Sequence, residues 1–150
     1  AFRQSESPLK VLPEFKELKD INMKSAMEDV ELPFHLAYDA NGNFIGAAVE
    51  TFTNKGFSGN ISLMVGILAD GTVNNISVLQ HAETPGLGSK MSEPSFKDQF
   101  NNKHADSFNF NVKKDGGDVD AITAATISSR AFCDAVNRAI STFENNKGGF

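Results

Sequence analysis

Ten residues near the C-terminal end, Asp120-Ala121-Ile122-Thr123-Ala124-Ala125-Thr126-Ile127-Ser128-Ser129, set hydroxyls and small side chains immediately before a strongly amphipathic stretch. If that stretch is helical, its first backbone N–H groups lack intrahelical acceptors and carry the positive end of the macrodipole, so a phosphate is stabilised there. Ala124 and Ala125 would let a bulky planar ligand approach the backbone closely. Thr123, Thr126, Ser128 and Ser129 offer hydroxyls to a phosphate, or an oxygen for a covalent ester. The plainer reading of the same hydroxyls is helix N-capping, the commonest use of Ser and Thr at such a junction. Taken alone, the residues leave both readings open.

The run from Asp120 to Thr126 resembles the covalent flavinylation signature Asp-Gly-x-Ser/Thr-Gly-Ala-Thr of the FMN-binding domain family. It keeps Asp120, Thr123, Ala125 and Thr126, and it has Ala121 and Ala124 where that pattern usually has Gly. A positive φ at Ala124 would carry a steric cost that Gly escapes. A second block, His81-Ala82-Glu83-Thr84-Pro85-Gly86-Leu87-Gly88, resembles the H-x-E-T-P-G-L-G loop of the same family. Gly56-Phe57-Ser58-Gly59-Asn60-Ile61 resembles its entry to the central sheet.

The resemblance implies that Thr126 carries FMN through a phosphoester. A threonine hydroxyl is a poor nucleophile without a base, and the motif shows none, so a separate flavin transferase using FAD as donor would make the bond. Within the family, the likeness is to the flavin subunits of Rnf-type ion-translocating complexes, and next to those of sodium-pumping NADH:quinone oxidoreductases. It therefore implies an electron-transfer subunit rather than a stand-alone catalyst, with the other subunits of a membrane complex as partners. It also implies an N-terminal membrane helix preceding this chain, and a flavin domain on the periplasmic or extracytoplasmic face of the cell inner membrane. Two alternatives stand beside it: a stand-alone extracytoplasmic flavin carrier, and a non-flavinylated binding or assembly module of the same fold. The alanines at 121 and 124 favour the last.

Further roles follow from the same likeness. Glu83 and Thr84 would hydrogen-bond the polar edge of an isoalloxazine, and Leu87 would pack on its apolar face, within a loop shaped by Gly86 and Gly88. Lys90 is either a charge that raises the flavin's potential or a surface lysine. His81 is either a proton donor to the flavin or, the better reading, a loop histidine with a structural hydrogen bond. Asp120 would orient the attachment loop through an Asx-type turn or serve the modifying enzyme.

Composition bounds the rest. The chain has 150 residues, 40% of them hydrophobic, with 13 Phe and no Trp, enough for one good core. A formal net charge of -5 with scattered Lys and Arg argues against nucleic acid. Cys133 is the single cysteine, so no internal disulfide can form, and its flanks predict a buried small hydrophobe. His35, His81 and His104 show no metal-ligand spacing, and no metal is expected. No window approaches the roughly 18 apolar residues of a membrane helix.

These motifs need elements to position them. Apolar spacing from Leu9 to Met27, interrupted by Pro13, predicts a short helix within an N-terminal segment, 1–30, that would continue from a membrane anchor, with the FMN-binding domain over 31–150. Strands are predicted over Phe34 to Tyr38 and Phe44 to Thr53 about an Asn-Gly turn, then Ile61 to Leu68 and Val73 to Leu79 about Ala69-Asp70-Gly71. Met91 to Lys103 reads as a helix, Phe108 to Lys113 as a strand and Ser128 to Asn145 as the last helix, with Phe132, Val136, Ala139, Ile140 and Phe143 on one face. The expected class is α+β: an antiparallel sheet built from hairpins, packed with flanking helices, the flavin site at the N-terminus of the last helix.

Overall fold

The computed structural model describes residues 8–150. Five strands follow one another as an antiparallel meander: β1 (Glu17–Lys24), β2 (Glu31–Tyr38), β3 (Phe44–Gly56), β4 (Gly59–Leu68) and β5 (Val73–Gln80). A short helix α1 (Pro94–Lys97) and a long one, α2 (Thr126–Asn146), follow the sheet. The architecture is the expected α+β class. Both hairpins fall where the turn residues predict them, because Asp39 accepts hydrogen bonds from the backbone of Asn41 and Asn43, and Asp70 accepts one from Thr72.

The period-two alternation of the strands decides which face meets α2. Leu32, Phe34, Leu36, Ala47, Val49, Leu63, Val65 and Ile67 all join the main core, which also takes Phe132, Ala135, Val136, Ala139, Ile140 and Phe143 from α2. Phe132 lies 5.0 Å, centroid to centroid, from both Phe96 and Phe100, so the segment after β5 is anchored to the helix by aromatic packing. On the opposite face of the sheet, Val11 and Leu12 cover Ala37, Ala48 and Met64.

Three expected elements differ. Instead of a helix between Leu9 and Met27 there is a single 3-10 turn, Pro8–Lys10, and then strand β1, paired with β2 from Glu17↔Tyr38 to Lys24↔Glu31. The helical spacing gave weight to Leu9, which is 64% exposed, and passed over Val11, which is fully buried. An edge strand exposed along almost its whole length leaves no alternation to read. Because β1 belongs to the same sheet, the structure shows no break at residue 30. The part of that N-terminal segment before residue 8 lies outside the described residues.

The stretch after Met91 is not one helix but α1 flanked by 3-10 turns at Gly88–Ser92 and Asp98–Phe100. Pro94 can open a helix but cannot continue one. Phe108 to Lys113 is not a strand, although Phe110 and Val112 are buried as its alternation requires. Its only ladder contact among the described residues is the bridge Val112↔Val119. The segment is held instead by its own return: Asp118 N–H donates to the Asn109 carbonyl, and the Asn109 N–H donates to the Asp118 carboxylate at 2.7 Å.

Candidate functional site

Helix α2 begins at Thr126, two residues earlier than the predicted start at Ser128, and its N-cap is Ala125, which has no side-chain oxygen. The hydroxyls therefore do not cap in the ordinary way. Ser129 is fully buried; its Oγ accepts from the Ile122 N–H and donates to the Ala125 carbonyl, both at 2.9 Å, and so closes the signature into a tight loop. Ser128 donates to the Glu83 carboxylate at 2.6 Å. Among the described residues, the hydroxyls of Thr123 and Thr126 have no side-chain hydrogen bond.

The first intrahelical bond runs from the Ser129 N–H to the Ala125 carbonyl, which leaves the N–H groups of Thr126, Ile127 and Ser128 at the positive end of a 21-residue helix. Immediately before it, Ala124 has φ +60°. This is the left-handed conformation that glycine adopts freely and alanine only at a cost of about 1–2 kcal/mol. The steric cost foreseen for alanine at this position is thus present.

A cleft of about 360 Å³ opens here, lined by Phe57, Thr84, Leu87, Gly88, Ala124, Ala125, Thr126, Ile127 and Ser128. All three motif blocks meet in it. The β3–β4 turn supplies Phe57, the loop after β5 supplies Thr84, Leu87 and Gly88, and the signature supplies the rest. Its size lies in the range of small-molecule sites, roughly 300–1,000 Å³. No ionisable side chain is among its lining residues.

Glu83 ties these blocks together from beneath. Only 4% exposed, its carboxylate accepts from the Phe57 N–H and the Ser58 N–H, each at 2.8 Å, as well as from Ser128. Burial alone would raise this carboxyl, but the Ser128 hydroxyl and the two backbone N–H groups outweigh it and hold the group below its ordinary value. Gly88 makes the approach possible, since a Cβ there would stand 2.4 Å from Ser128 Oγ and 2.8 Å from Glu83 Cβ. His81 has the structural hydrogen bond expected of it: its Nδ1 accepts from the Glu83 N–H at 3.0 Å.

The other expected site residues fall elsewhere. Lys90, Asp120 and Thr123 line a second cleft of about 290 Å³, together with Ser95, Phe96, Gln99, Ala121 and Ile122. The Asp120 carboxylate does not form the expected Asx-type turn; it pairs with Lys113 at 2.7 Å on the surface. What orients Asp120 is the side-chain amide of Gln99, which accepts from its N–H at 2.7 Å and donates to its carbonyl at 2.9 Å. Gly86 is exposed in a turn, with φ +76° and its N–H donated to Ser89 Oγ. Glu83 faces Phe57, Ser58 and Ser128 rather than the open cleft.

Three residues that shape the site escape a reading of the sequence. Phe57 and Ile127, 68% and 50% exposed, stand as apolar walls of the first cleft, and Gln99 clamps the signature. A large aromatic side chain between Gly56 and Ser58 in a tight turn was the one available signal, because such turns ordinarily hold polar residues.

These features are those of a flavin-holding module, and the chain belongs to the FMN-binding domain family, which it matches over residues 56–141. Among individual proteins it is similar to the G component of the ion-translocating oxidoreductase complex of Shewanella baltica, at 41% identity over 79% of this chain and 58% of that one. The protein of the same name from Aliivibrio fischeri is 43% identical over 73% of this chain and 54% of its own length. That from Methanosarcina acetivorans is 36% identical over 99% of this chain and 79% of its own. The chain thus spans little more than half the length of the first two. In fold it is similar to the crystal structure of the C component of the Na(+)-translocating NADH-quinone reductase from Parabacteroides distasonis, with a TM-score of 0.66 and 19% identity, covering 95% of this chain and 81% of that one. Among the described residues, no helix is long and apolar enough to cross a membrane.

Proposed function

We propose that this chain is the flavin-carrying part of an electron-transfer subunit of an Rnf-type ion-translocating complex, with FMN esterified to Thr126. The observation that carries the proposal is the meeting of all three motif blocks in one cleft, at a helix N-terminus where the Thr126 hydroxyl has no side-chain partner. A phosphate on Thr126 would lie at the free N–H groups of the first turn, and Thr84, Leu87 and Phe57 would face the ring system. Once bound, FMN supplies one- and two-electron transfer.

Covalency agrees with the electrostatics. The lining holds no cation, and a helix N-terminus contributes only about 0.3–1 kcal/mol toward an anion at an exposed site. Such a site retains a free phosphate ligand weakly, and an ester removes the need for affinity. Attachment by a separate flavin transferase fits a motif with no general base beside Thr126. The same logic suits an extracytoplasmic domain on the outer face of the cell inner membrane, where a dissociated FMN would be lost by dilution. Other subunits of the complex are the proposed electron donors and acceptors.

The test is the intact mass of the domain co-produced with a flavin transferase in one compartment, followed by peptide mapping. One FMN, less water, on the Thr126 peptide and its disappearance in Thr126→Ala is the expected result. An unmodified mass beside a working transferase control would overturn the covalent reading and leave a non-flavinylated module of the same fold, the reading that a strained Ala124 favours.

A further inference from the structure

The chain holds a large aromatic ring in the open at the tip of its longest hairpin. Phe57 is 68% exposed, and with the exposed Leu87 and Ile127 it forms an apolar patch on the cleft that also contains Thr126. The backbone on which it stands is fixed at both turn residues, because the N–H groups of Phe57 and Ser58 are taken by the two oxygens of Glu83. Glu83 is in turn held by Ser128, in the first turn of α2, two residues after Thr126. Hairpin tip and attachment helix are therefore joined through a single buried carboxylate.

Building on the FMN reading above, we propose that Phe57 is the wall against which the isoalloxazine ring rests, and that Glu83 is the positioning residue that holds Phe57 across the cleft from Thr126. A ring tethered only through its phosphate and ribityl chain turns about many single bonds. An aromatic face at a fixed place gives it one orientation, since planar π-systems stack in offset or edge-to-face arrangements. Leu87 and Ile127, 39% and 50% exposed on the same cleft, complete an apolar frame for the remainder of the ring. Glu83 acts through the turn: its replacement by Gln leaves an amide that cannot accept from two N–H groups and a hydroxyl through two oxygens.

Steady-state anisotropy of flavin fluorescence reads this directly. It is a property of the flavin-bearing molecules alone, so the yield of attachment does not enter. The wild-type domain is expected to show the high anisotropy of a ring that turns with the protein. In Phe57→Ala it falls by roughly half or more, because an undocked ring reorients on the picosecond-to-nanosecond scale. Phe57→Tyr retains the wild-type value. Glu83→Gln falls in the same direction as Phe57→Ala, and Ser128→Ala serves in its place if Glu83→Gln does not fold. A reduction potential alone would not serve, since Glu83→Gln also removes a negative charge near the flavin.

Unchanged anisotropy in Phe57→Ala overturns the wall, and a loss in Phe57→Ala with none in either clamp variant overturns the positioning role. If the wild type takes no covalent flavin, the attachment reading fails separately. Free riboflavin then becomes the probe, with the same difference between wild type and Phe57→Ala expected in its bound anisotropy, and equality of the two overturning the wall.

Discussion

The Ser128 hydroxyl donates to the Glu83 carboxylate across 2.6 Å, although the two residues are 45 positions apart in the chain. One comes from the first turn of the last helix and the other from the loop after β5. Both are almost wholly buried: Ser128 is 3% exposed and Glu83 4%. A buried carboxylate is tolerated only when it is hydrogen-bonded, and here two backbone N–H groups and one hydroxyl donate to it, with both oxygens engaged. The consequence is that one carboxylate joins the three chain segments of the site.

Loss of that carboxylate is expected to destabilise the fold in a pH-dependent way. The folded-state value of Glu83 lies below the ordinary 4.5 of a glutamate. Its ionised form therefore stabilises the protein in full above pH 4.5, and that contribution is lost as pH falls through the folded value. Glu83→Gln should lower stability at pH 7 by roughly 1.5–3 kcal/mol, the scale of hydrogen bonds to a charged group. Urea denaturation at a series of pH values checks the sign. The gap between wild type and variant should narrow as pH falls below 4.5, and a gap that stayed constant into strong acid would show that the charge is not what matters.

Ala124→Gly is expected to stabilise the protein. With φ +60° at this position, glycine removes a steric penalty of about 1–2 kcal/mol, partly offset by its greater entropy when unfolded, for a net gain of about 0.5–1 kcal/mol. Chemical denaturation measures it. Ala121→Gly, at a residue with no positive φ, is the contrast and should lose stability or leave it unchanged. Equal effects at the two positions would remove the strain argument.

The sequence showed the hairpins and the last helix because each carried a local signal: turn residues with a set backbone preference, or an apolar face of helical period. It showed the start of the last helix and the loop after β5 as likenesses, but not how they meet. Glu83 is the clearest case. Its type suits a ligand contact as well as a clamp, and only the long-range pairing of the β3–β4 turn with the start of α2 decides between them. Strand β1 was hidden for a different reason: at an exposed edge the backbone makes the ladder, and the side chains need no pattern. Phe57 stood in view within Gly56-Phe57-Ser58-Gly59, yet nothing local says which cleft a hairpin tip will overhang.

Cys133 is expected to be inert in the native state. It is 2% exposed in the middle of α2, and burial, with a smaller contribution from Asp115, pushes its thiol up to about 12. The thiolate is the reactive form, and so alkylation should be slower than that of an unfolded thiol by roughly a hundredfold or more at neutral pH. Iodoacetamide labelling followed by mass, with and without denaturant, measures the ratio. Comparable rates in the two conditions would mean that α2 opens readily.

A buried ion network farther along α2 is expected to be costly to break. Arg138 is 4% exposed and is surrounded by acceptors: Glu28 at 2.7 and 3.0 Å, Asp134 at 3.0 Å and the Phe52 carbonyl, with the Phe52 ring 4.8 Å from the guanidinium. These partners belong to the β1–β2 turn, to α2 itself and to β3, so one planar cation with five donors joins three elements. Removing it leaves Asp134, whose side chain is 14% exposed, without its closest counter-charge. Breaking such a pair from one side costs about 3–5 kcal/mol, and Arg138→Ala should lose that much. Arg138→Lys keeps the charge but cannot reach both carboxylates and the carbonyl together, so its loss should be intermediate. Thermal denaturation of the two variants orders them. A lysine variant as unstable as the alanine one would assign the stability to the fork geometry alone, and an alanine variant within about 1 kcal/mol of wild type, well under the range above, would show that the network contributes little.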